Sequence, residues 1–474
     1  MRDSCRVTPT RQQAPRRSVR ALQQAGRAVR PAKDPGGPAI RRRVLLAAIW
    51  AGLIFLLSFW WRQTPGEATL GSPALLTSAG RLAGLIGGYL LLIQVLLMSR
   101  LRWIDHAVSG ARKSIWHRDL GAYVIGIISL HIVLVTLGYA ATAKTGVWHE
   151  AWTLLTTNQD MISALVAFSI MVLLALIAIR AIRTRLPYGI WHGLHSCTYL
   201  ILLFVYGHQF ADGQQFVLSH TARVYWAVLY IGVVAAVVYG RIVAPLIMHL
   251  RHDLRVDAVV AEAPGVTSIY VTGRRLERFP AIAGQYVRWR FLTHADWWRS
   301  HPFSLSAAPN GAYLRLTVKA SGDQSLQLQD VAPGTRVIAE APTGEFTADH
   351  RLRTGALLIA AGSGIAPIRA IMETLPPGGT LLFRARTPED LIFKDEIDKL
   401  AGARKTKVHY IVGHRDDPEP AAMLTADGLR KLVPDIAARD VYICGPRGLG
   451  QAVQTALIEL RLPPNQIHMD PFEL

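Results

Sequence analysis

Six apolar runs crowd one half of this chain, at about 44–61, 79–98, 119–140, 161–180, 190–210 and 224–246. Each is close to the length that crosses a hydrocarbon core of about 30 Å, where unpaired backbone groups are not tolerated, so each is expected to be a helix. Residues 44–250 of the 474 are therefore expected to form a six-helix transmembrane bundle. After residue 250 the composition is that of an ordinary globular protein, so the 51% hydrophobic content averages two unlike halves.

Charge is as unevenly spread. Of the net +19, residues 1–43 supply +10, from 12 Lys/Arg against 2 Asp/Glu in a stretch rich in Arg, Pro and Gln. Such a stretch has little to bury, which predicts a disordered cytoplasmic tail. Beside a membrane span its charge suits anionic lipid, not nucleic acid. Val44–Trp61 is too long for a signal core, and no small-x-small cleavage site follows it, so it reads as a retained span. Basic residues cluster at alternate connections: Arg41–Arg43, then Arg100, Arg102, Arg112, Lys113 and Arg118, then Arg180, Arg183 and Arg185, and last Arg241, Arg251 and Arg255. The positive-inside bias then puts both termini in the cytoplasm. The three cysteines, Cys5, Cys197 and Cys444, are too scattered for a disulfide framework or a four-cysteine cluster.

Within the apolar runs stand two pairs of histidines, His117 with His131 and His195 with His208. Side chains of this kind are costly in a bilayer and mark functional sites. Their spacings of 14 and 13 residues span roughly 20 Å of helix axis. The third and fifth runs point the same way, so His117 and His195 share an inner level and His131 and His208 an outer one. Paired imidazoles at two depths would suit two stacked haems, a path for electrons across the membrane. Fourteen steps return to within about 40° of the same helical face, whereas thirteen leave His208 about 140° from His195. The fifth run therefore requires an unwound turn, a bulge or a kink. His192 is an alternative inner ligand.

Beyond His252 the pattern turns to short β-rich runs broken by Gly and Pro, which predicts an antiparallel β-barrel over 251–352. From 353 to 474 strands and helices alternate, as in a doubly wound α/β nucleotide-binding domain. Gly362-Ser-Gly364-Ile-Ala-Pro367 follows a strand and opens a helix, where backbone amides can approach a pyrophosphate. About twenty residues on, where an NAD-specific fold places an acid, stand Arg384 and Arg386. Arginine there suits a 2′-phosphate and favours NADPH, with NADH the alternative.

Three motifs together resemble one family. His301-Pro302-Phe303-Ser304 is similar to the flavin motif of ferric reductases and NADPH oxidases. Gly362–Pro367 and Cys444-Gly445-Pro446 resemble the two nicotinamide motifs of that family, and the histidine spacings resemble those of its haem ligands. The resemblance covers roughly residues 44–474. It implies FAD, NADPH and two b-type haems, the latter held by His117, His131, His195 and His208. It places Phe303 against the flavin ring, Ser304 near the flavin N5 and His301 near the flavin phosphates, with Lys319, Gly322 and Ser325 cradling the pyrophosphate. Cys444 would face the nicotinamide, and Phe472 resembles the C-terminal aromatic that stacks on the flavin.

The implied activity is transmembrane: electrons from cytoplasmic NADPH pass through FAD and the haems to an acceptor outside, a ferric chelate or O2. Animal NADPH oxidases carry a further His one turn after the outer third-span ligand, where this chain has Val135. Arg81, near the outer start of the second span, could pair with a haem propionate or an incoming acceptor. A membrane-anchored flavin reductase, redox sensor or transporter without a haem relay is the contrasting possibility.

Overall fold

The computed structural model describes residues 38–64, 72–158, 160–294, 297–414 and 417–472. The expected disordered tail lies outside these residues except for 38–43. Two compact units emerge, one of residues 35–242 and the other including everything from Val243 on. The expected boundary at 250/251 thus moves back to 242/243. It falls within a π-helical turn, Tyr239–Val243.

In the first unit, helix α1 (Pro38–Gln63) starts inside the segment expected to be tail. Proline is suited to a first turn, where its missing N–H is not needed, and Arg41 Nη1 reaches His106 Nδ1 at 3.1 Å. Helix α2 (Pro73–Leu97) is capped by the Ser72 hydroxyl, which accepts from Leu75 N at 3.2 Å. Helix α3 (Gly110–Ala143) runs unbroken for 34 residues. It begins well before the expected 119, because its basic first turns remain helical and Lys113 is ion-paired with Asp105. Helix α4 covers Met161–Ala178.

The expected fifth span, 190–210, is interrupted. It consists of α5 (Tyr188–Ser196) and α6 (Thr198–Asp212), joined at Cys197. Ser196 Oγ donates to the His192 carbonyl at 2.9 Å and Thr198 Oγ1 to the His195 carbonyl at 2.6 Å. Cys197 itself keeps right-handed helical angles (φ −62°, ψ −9°), and its N–H turns to the Leu194 carbonyl, so the interruption is a tightened turn flanked by hydroxyls that share nearby carbonyls. Helix α7 (His220–Val238) continues through the π turn into α8 (Ala244–His252). Among the described residues five helices are long and apolar enough to cross a membrane: Ala39–Gln63, Pro73–Leu97, Arg112–Ala143, Met161–Ala178 and His220–His252. The six expected spans become five long helices and one broken segment.

Helices α2 and α3 form the tightest pair. A Cβ on Gly84 would lie 2.7 Å from His131 Nδ1, and one on Gly87 would lie 2.5 Å from Ile128 Cδ1. Small residues permit this approach where lipid offers helices no hydrophobic reason to associate. Helix α6 packs instead on α4. The two histidine-bearing elements are thus each held by a different neighbour.

The second unit opens with two three-stranded antiparallel sheets. One orders β1 (Arg255–Ala263), β2 (Val266–Thr272) and β5 (Leu314–Lys319); the other orders β4 (His301–Ser304), β3 (Tyr286–Phe291) and β6 (Val337–Ala339). Single bridges, Arg255 to Arg336 and Leu305 to Leu316, join the outer strands of one sheet to those of the other. Trp289, Phe291, Leu305 and Leu316, all fully buried, fill the shared core.

A five-stranded parallel sheet follows, ordered β11 (Ile467–Phe472), β10 (Arg439–Pro446), β7 (Gly355–Ala361), β8 (Thr380–Ala385) and β9 (Lys407–Val412). Alternate residues feed separate cores: Leu358, Ala360 and Tyr442 one, Leu357, Ile359 and Val441 the other. Helices α9 (Ile365–Met372), α10 (Lys394–Arg404) and α11 (Arg447–Glu459) cover it. A sheet buried on both faces is what parallel strands require.

Candidate functional site

The inner histidines come together. The His117 and His195 rings lie 5.8 Å apart between centroids, nearly perpendicular at 84°. Trp191 stacks on His195 at 5.1 Å. Nδ1 of both His117 and His195 is buried without a hydrogen bond, while the Gln94 main chain lies alongside His117. Two imidazoles at this separation leave room for a metal ion at roughly 2 Å from one nitrogen of each.

The outer pair is finished differently. His131 Nδ1 donates to the Gly80 carbonyl at 2.7 Å, and His208 Nδ1 meets the Asp212 carboxylate at 3.1 Å. Both bonds leave Nε2 as the ligating atom and fix the plane of the ring, which is how metal-bound histidines are usually oriented. All four rings are half-buried, and the separation of the inner pair fits a bis-imidazole group. Among the described residues no three or more His, Cys, Asp or Glu gather as a metal site. A metal in this unit would depend on histidine pairs and a ring of its own.

Arg81 is already engaged: it pairs with Gln214, and its Nη2 donates to Tyr139 Oη at 3.0 Å. Val135 packs against Gly80.

In the second unit His301 and Phe303 project from one face of β4, their rings 6.3 Å apart and stacked, with Pro302 exposed between them. Strand β3 fixes this register, pairing Tyr286 with Ser304 and Trp289 with His301. Lys319 is exposed at the end of β5. Ser325 Oγ accepts from Ser321 N and Gly322 N at 2.8 and 3.0 Å, so it shapes the turn beyond Lys319 by capping it. Gly322 faces open space.

The two nicotinamide motifs meet. β7 and β10 are parallel neighbours, and a Cβ on Gly364 would collide with the Cys444 carbonyl. Gly362 takes a φ of +55°, which few other residues adopt without strain, and opens onto space. Gly445 and Pro446 continue β10, and Pro367 is buried in α9. Phe472 pairs in register with Pro446 on β11, which brings the end of that strand to the same motif.

Two residues stand otherwise than expected. The Cys444 thiol is fully buried, donates to the Asp470 carbonyl at 3.2 Å and is pushed far up in pKa by burial, so it presents no reactive surface. Burial also pushes the Asp470 carboxyl up to about 6. Arg384 donates to the carbonyls of Pro420 and His414 at 3.3 and 2.9 Å. Arg386, two residues on, is exposed.

Three family models match the chain: a ferric reductase like transmembrane component over residues 83–206, an FAD-binding domain over 255–345 and an oxidoreductase NAD-binding domain over 358–455. By its architecture the chain belongs to the ferric reductase/NADPH oxidase family. Among its relatives is the ferredoxin reductase component of 3-ketosteroid-9-alpha-monooxygenase from Mycobacterium tuberculosis. That protein is 34% identical over 226 residues, 45% of this chain and 60% of the relative. The flavohemoprotein of Bacillus subtilis is 26% identical over 44% of this chain and 56% of its own length. This ferric reductase-type chain therefore spans about three fifths or less of these relatives. Among solved structures, the flavohaem-like FAD/NAD binding domain of nitric oxide dioxygenase from Vibrio cholerae matches at 26% identity and a TM-score of 0.39, over 46% of this chain and 98% of that one. The ferric reductase-type chain is thus a multi-pass membrane oxidoreductase with FAD- and NAD-binding domains.

Sequence reasoning missed three groups in this ferric reductase-type chain. Gly80, Gly84 and Gly88 form a small-xxx-small series that was legible as a helix-packing face. Asp212 stands four residues after His208, the spacing of facing positions on a helix. Arg315, Arg369 and Glu396 meet only through the tertiary fold.

Proposed function

We propose that this protein takes electrons from cytoplasmic NAD(P)H and delivers them across the membrane to an acceptor outside, a ferric chelate or O2. The observation that carries this reading is the pairing of His117 with His195, with the break at Cys197 between His195 and His208. A helix interrupted there escapes the angular conflict of a 13-residue spacing. Bound FAD would supply hydride acceptance and single-electron release, and two b-type haems would supply one-electron carriers at the two histidine levels.

The residues of the chain do the holding. His117 and His195 would hold one haem at the inner level, and His131 and His208 the other at the outer. The Gly80 carbonyl and the Asp212 carboxylate orient the outer rings. Ser304 and Phe303 on β4 would lie at the flavin, Lys319 and Gly322 at its phosphates, and Gly362, Gly364 and Pro446 at the nicotinamide. With two imidazoles holding it, a haem at the outer level would supply electron transfer by contact. Val135, in place of a further histidine, and Arg81, already paired with Gln214 and Tyr139, favour a ferric chelate as the acceptor.

Purified protein should contain two b-type haems per chain with a low-spin spectrum. Their absence would leave a membrane-anchored flavin reductase. Cytochrome c reduction with and without superoxide dismutase, followed by anaerobic ferric chelates, identifies the acceptor.

Asp212→Asn removes a negative charge from behind the His208 ring and would weaken that imidazole as a donor to a haem. One of the two midpoint potentials should rise in spectroelectrochemical titration and the other should stay. Arg386→Ala should raise KM for NADPH about tenfold, the loss of one charge-assisted phosphate contact of roughly 1.5 kcal/mol. KM for NADH should not change.

A further inference from the structure

A buried charge network ties the flavin half of the second unit to its nicotinamide half. Arg315 lies on β5 and is only 1% exposed. Its Nη1 donates to both carboxylate oxygens of Glu396, on α10, at 3.2 and 3.0 Å. Its Nη2 donates to the Ser306 carbonyl at 2.6 Å and its Nε to the Ser306 hydroxyl at 3.1 Å. Arg369, on α9, reaches the same two partners: Glu396 at 2.5 Å and the Ser306 carbonyl at 3.2 Å. Arg369 is also ion-paired with Glu373, which accepts from Ala308 N at 3.2 Å.

The places of these residues in the chain matter more than their number. Ser306 follows the flavin motif by two residues, and α9 is the helix opened by the Gly362–Gly364 turn. One carbonyl therefore receives arginines from both halves. Burial opposes ionisation of Glu396, yet the facing Arg315 and Arg369 hold its carboxyl below the usual carboxylate range. An apolar contact of equal volume could stabilise the same junction as well, since buried ion pairs repay their desolvation poorly. What hydrogen-bonded charges add is direction: forked guanidinium groups fix angle and register, which a greasy contact does not.

We propose that Arg315 and Arg369, sharing Glu396 and the Ser306 carbonyl, are positioning residues that set how the nicotinamide site meets the flavin site. The step they serve is hydride transfer, in which NAD(P)H is oxidised and FAD reduced. The proposal rests on the reading of this unit as a hydride-transfer module. Hydride transfer is steeply sensitive to approach, and a misplacement of about 1 Å can cost a hundredfold in rate.

The test is anaerobic stopped-flow reduction of the flavin in the full-length, detergent-purified protein, with NADPH and with its 4-deuterated form. In Glu396→Gln the limiting rate should fall at least tenfold and the isotope effect should rise, with FAD content and NADPH dissociation constant unchanged. A wild-type limiting rate and isotope effect would overturn the proposal. If Glu396→Gln loses FAD or does not fold, Arg369→Lys, which keeps charge and helix but not the fork, decides. A slowed limiting rate at full FAD content supports positioning there, and an unchanged rate overturns it. Failure of the unaltered protein to reduce its flavin with either nicotinamide would instead sink the hydride reading beneath the proposal.

Discussion

His208→Ala should abolish reduction of an external acceptor while flavin reduction by NAD(P)H continues at its normal rate. His208 sits on the half-helix Thr198–Asp212, and its ring is aimed by Asp212 through Nδ1. Removing the ring removes one of the two outer imidazoles. Haem content should fall from two per chain to one, and the remaining low-spin spectrum should be that of the inner pair. Stopped-flow absorbance separates flavin reduction from the later reduction of haem, so the two halves can be read in one experiment. Concurrent loss of flavin reduction would show that the halves are not independent donors and carriers. His131→Ala should behave alike, since its ring is the other outer imidazole, oriented by the Gly80 carbonyl.

Gly84→Val should produce nearly the same loss without touching a histidine. A Cβ at Gly84 meets His131 Nδ1 at 2.7 Å and Cε1 at 2.9 Å, before any branch is added. The valine methyls must therefore displace the ring or part α2 from α3. Either movement breaks the bond from His131 to Gly80, which lies one turn away on the same helix. Overpacking of this kind typically costs about 1–3 kcal/mol, too little to unfold a bundle with four other long helices. The expected product is a membrane-inserted protein carrying one haem, with acceptor reduction down at least a hundredfold. Gly84→Ala should show an intermediate occupancy. Two full haems in Gly84→Val would mean that the ring is not where this packing holds it.

Much of this was legible in the sequence, for identifiable reasons. Apolar length announces a membrane helix wherever it occurs, and the continuous α3 carries both its histidines on one face as a spacing of 14 requires. The conflict in the fifth run was equally visible, because angular arithmetic needs no neighbours. Its location was not, because Ser196 and Thr198 look like ordinary tolerated polar residues until their hydroxyls are seen on the His192 and His195 carbonyls. Arg384 shows the opposite failure: at the end of a strand it reads as an available cation, yet its guanidinium is taken by main-chain carbonyls from Pro420 and His414. Arg315 in LRLTVK resembles an outward-facing strand residue by alternation. Its partner Glu396 lies 81 residues on, beyond the reach of any local pattern.

The break at Cys197 also sets different rules for how the two histidine segments can vary. In the unbroken α3, one inserted residue between His117 and His131 would turn one ring by about 100° relative to the other. That spacing can drift only by whole turns. Between His195 and His208 the junction at Cys197 absorbs such a change, with both half-helices packed on α4. A spacing of 14 in the third segment should therefore be nearly fixed across related sequences, while the interval in the fifth is free to wander by a residue. A search pattern that treats both intervals as rigid would pass over proteins built on the same plan.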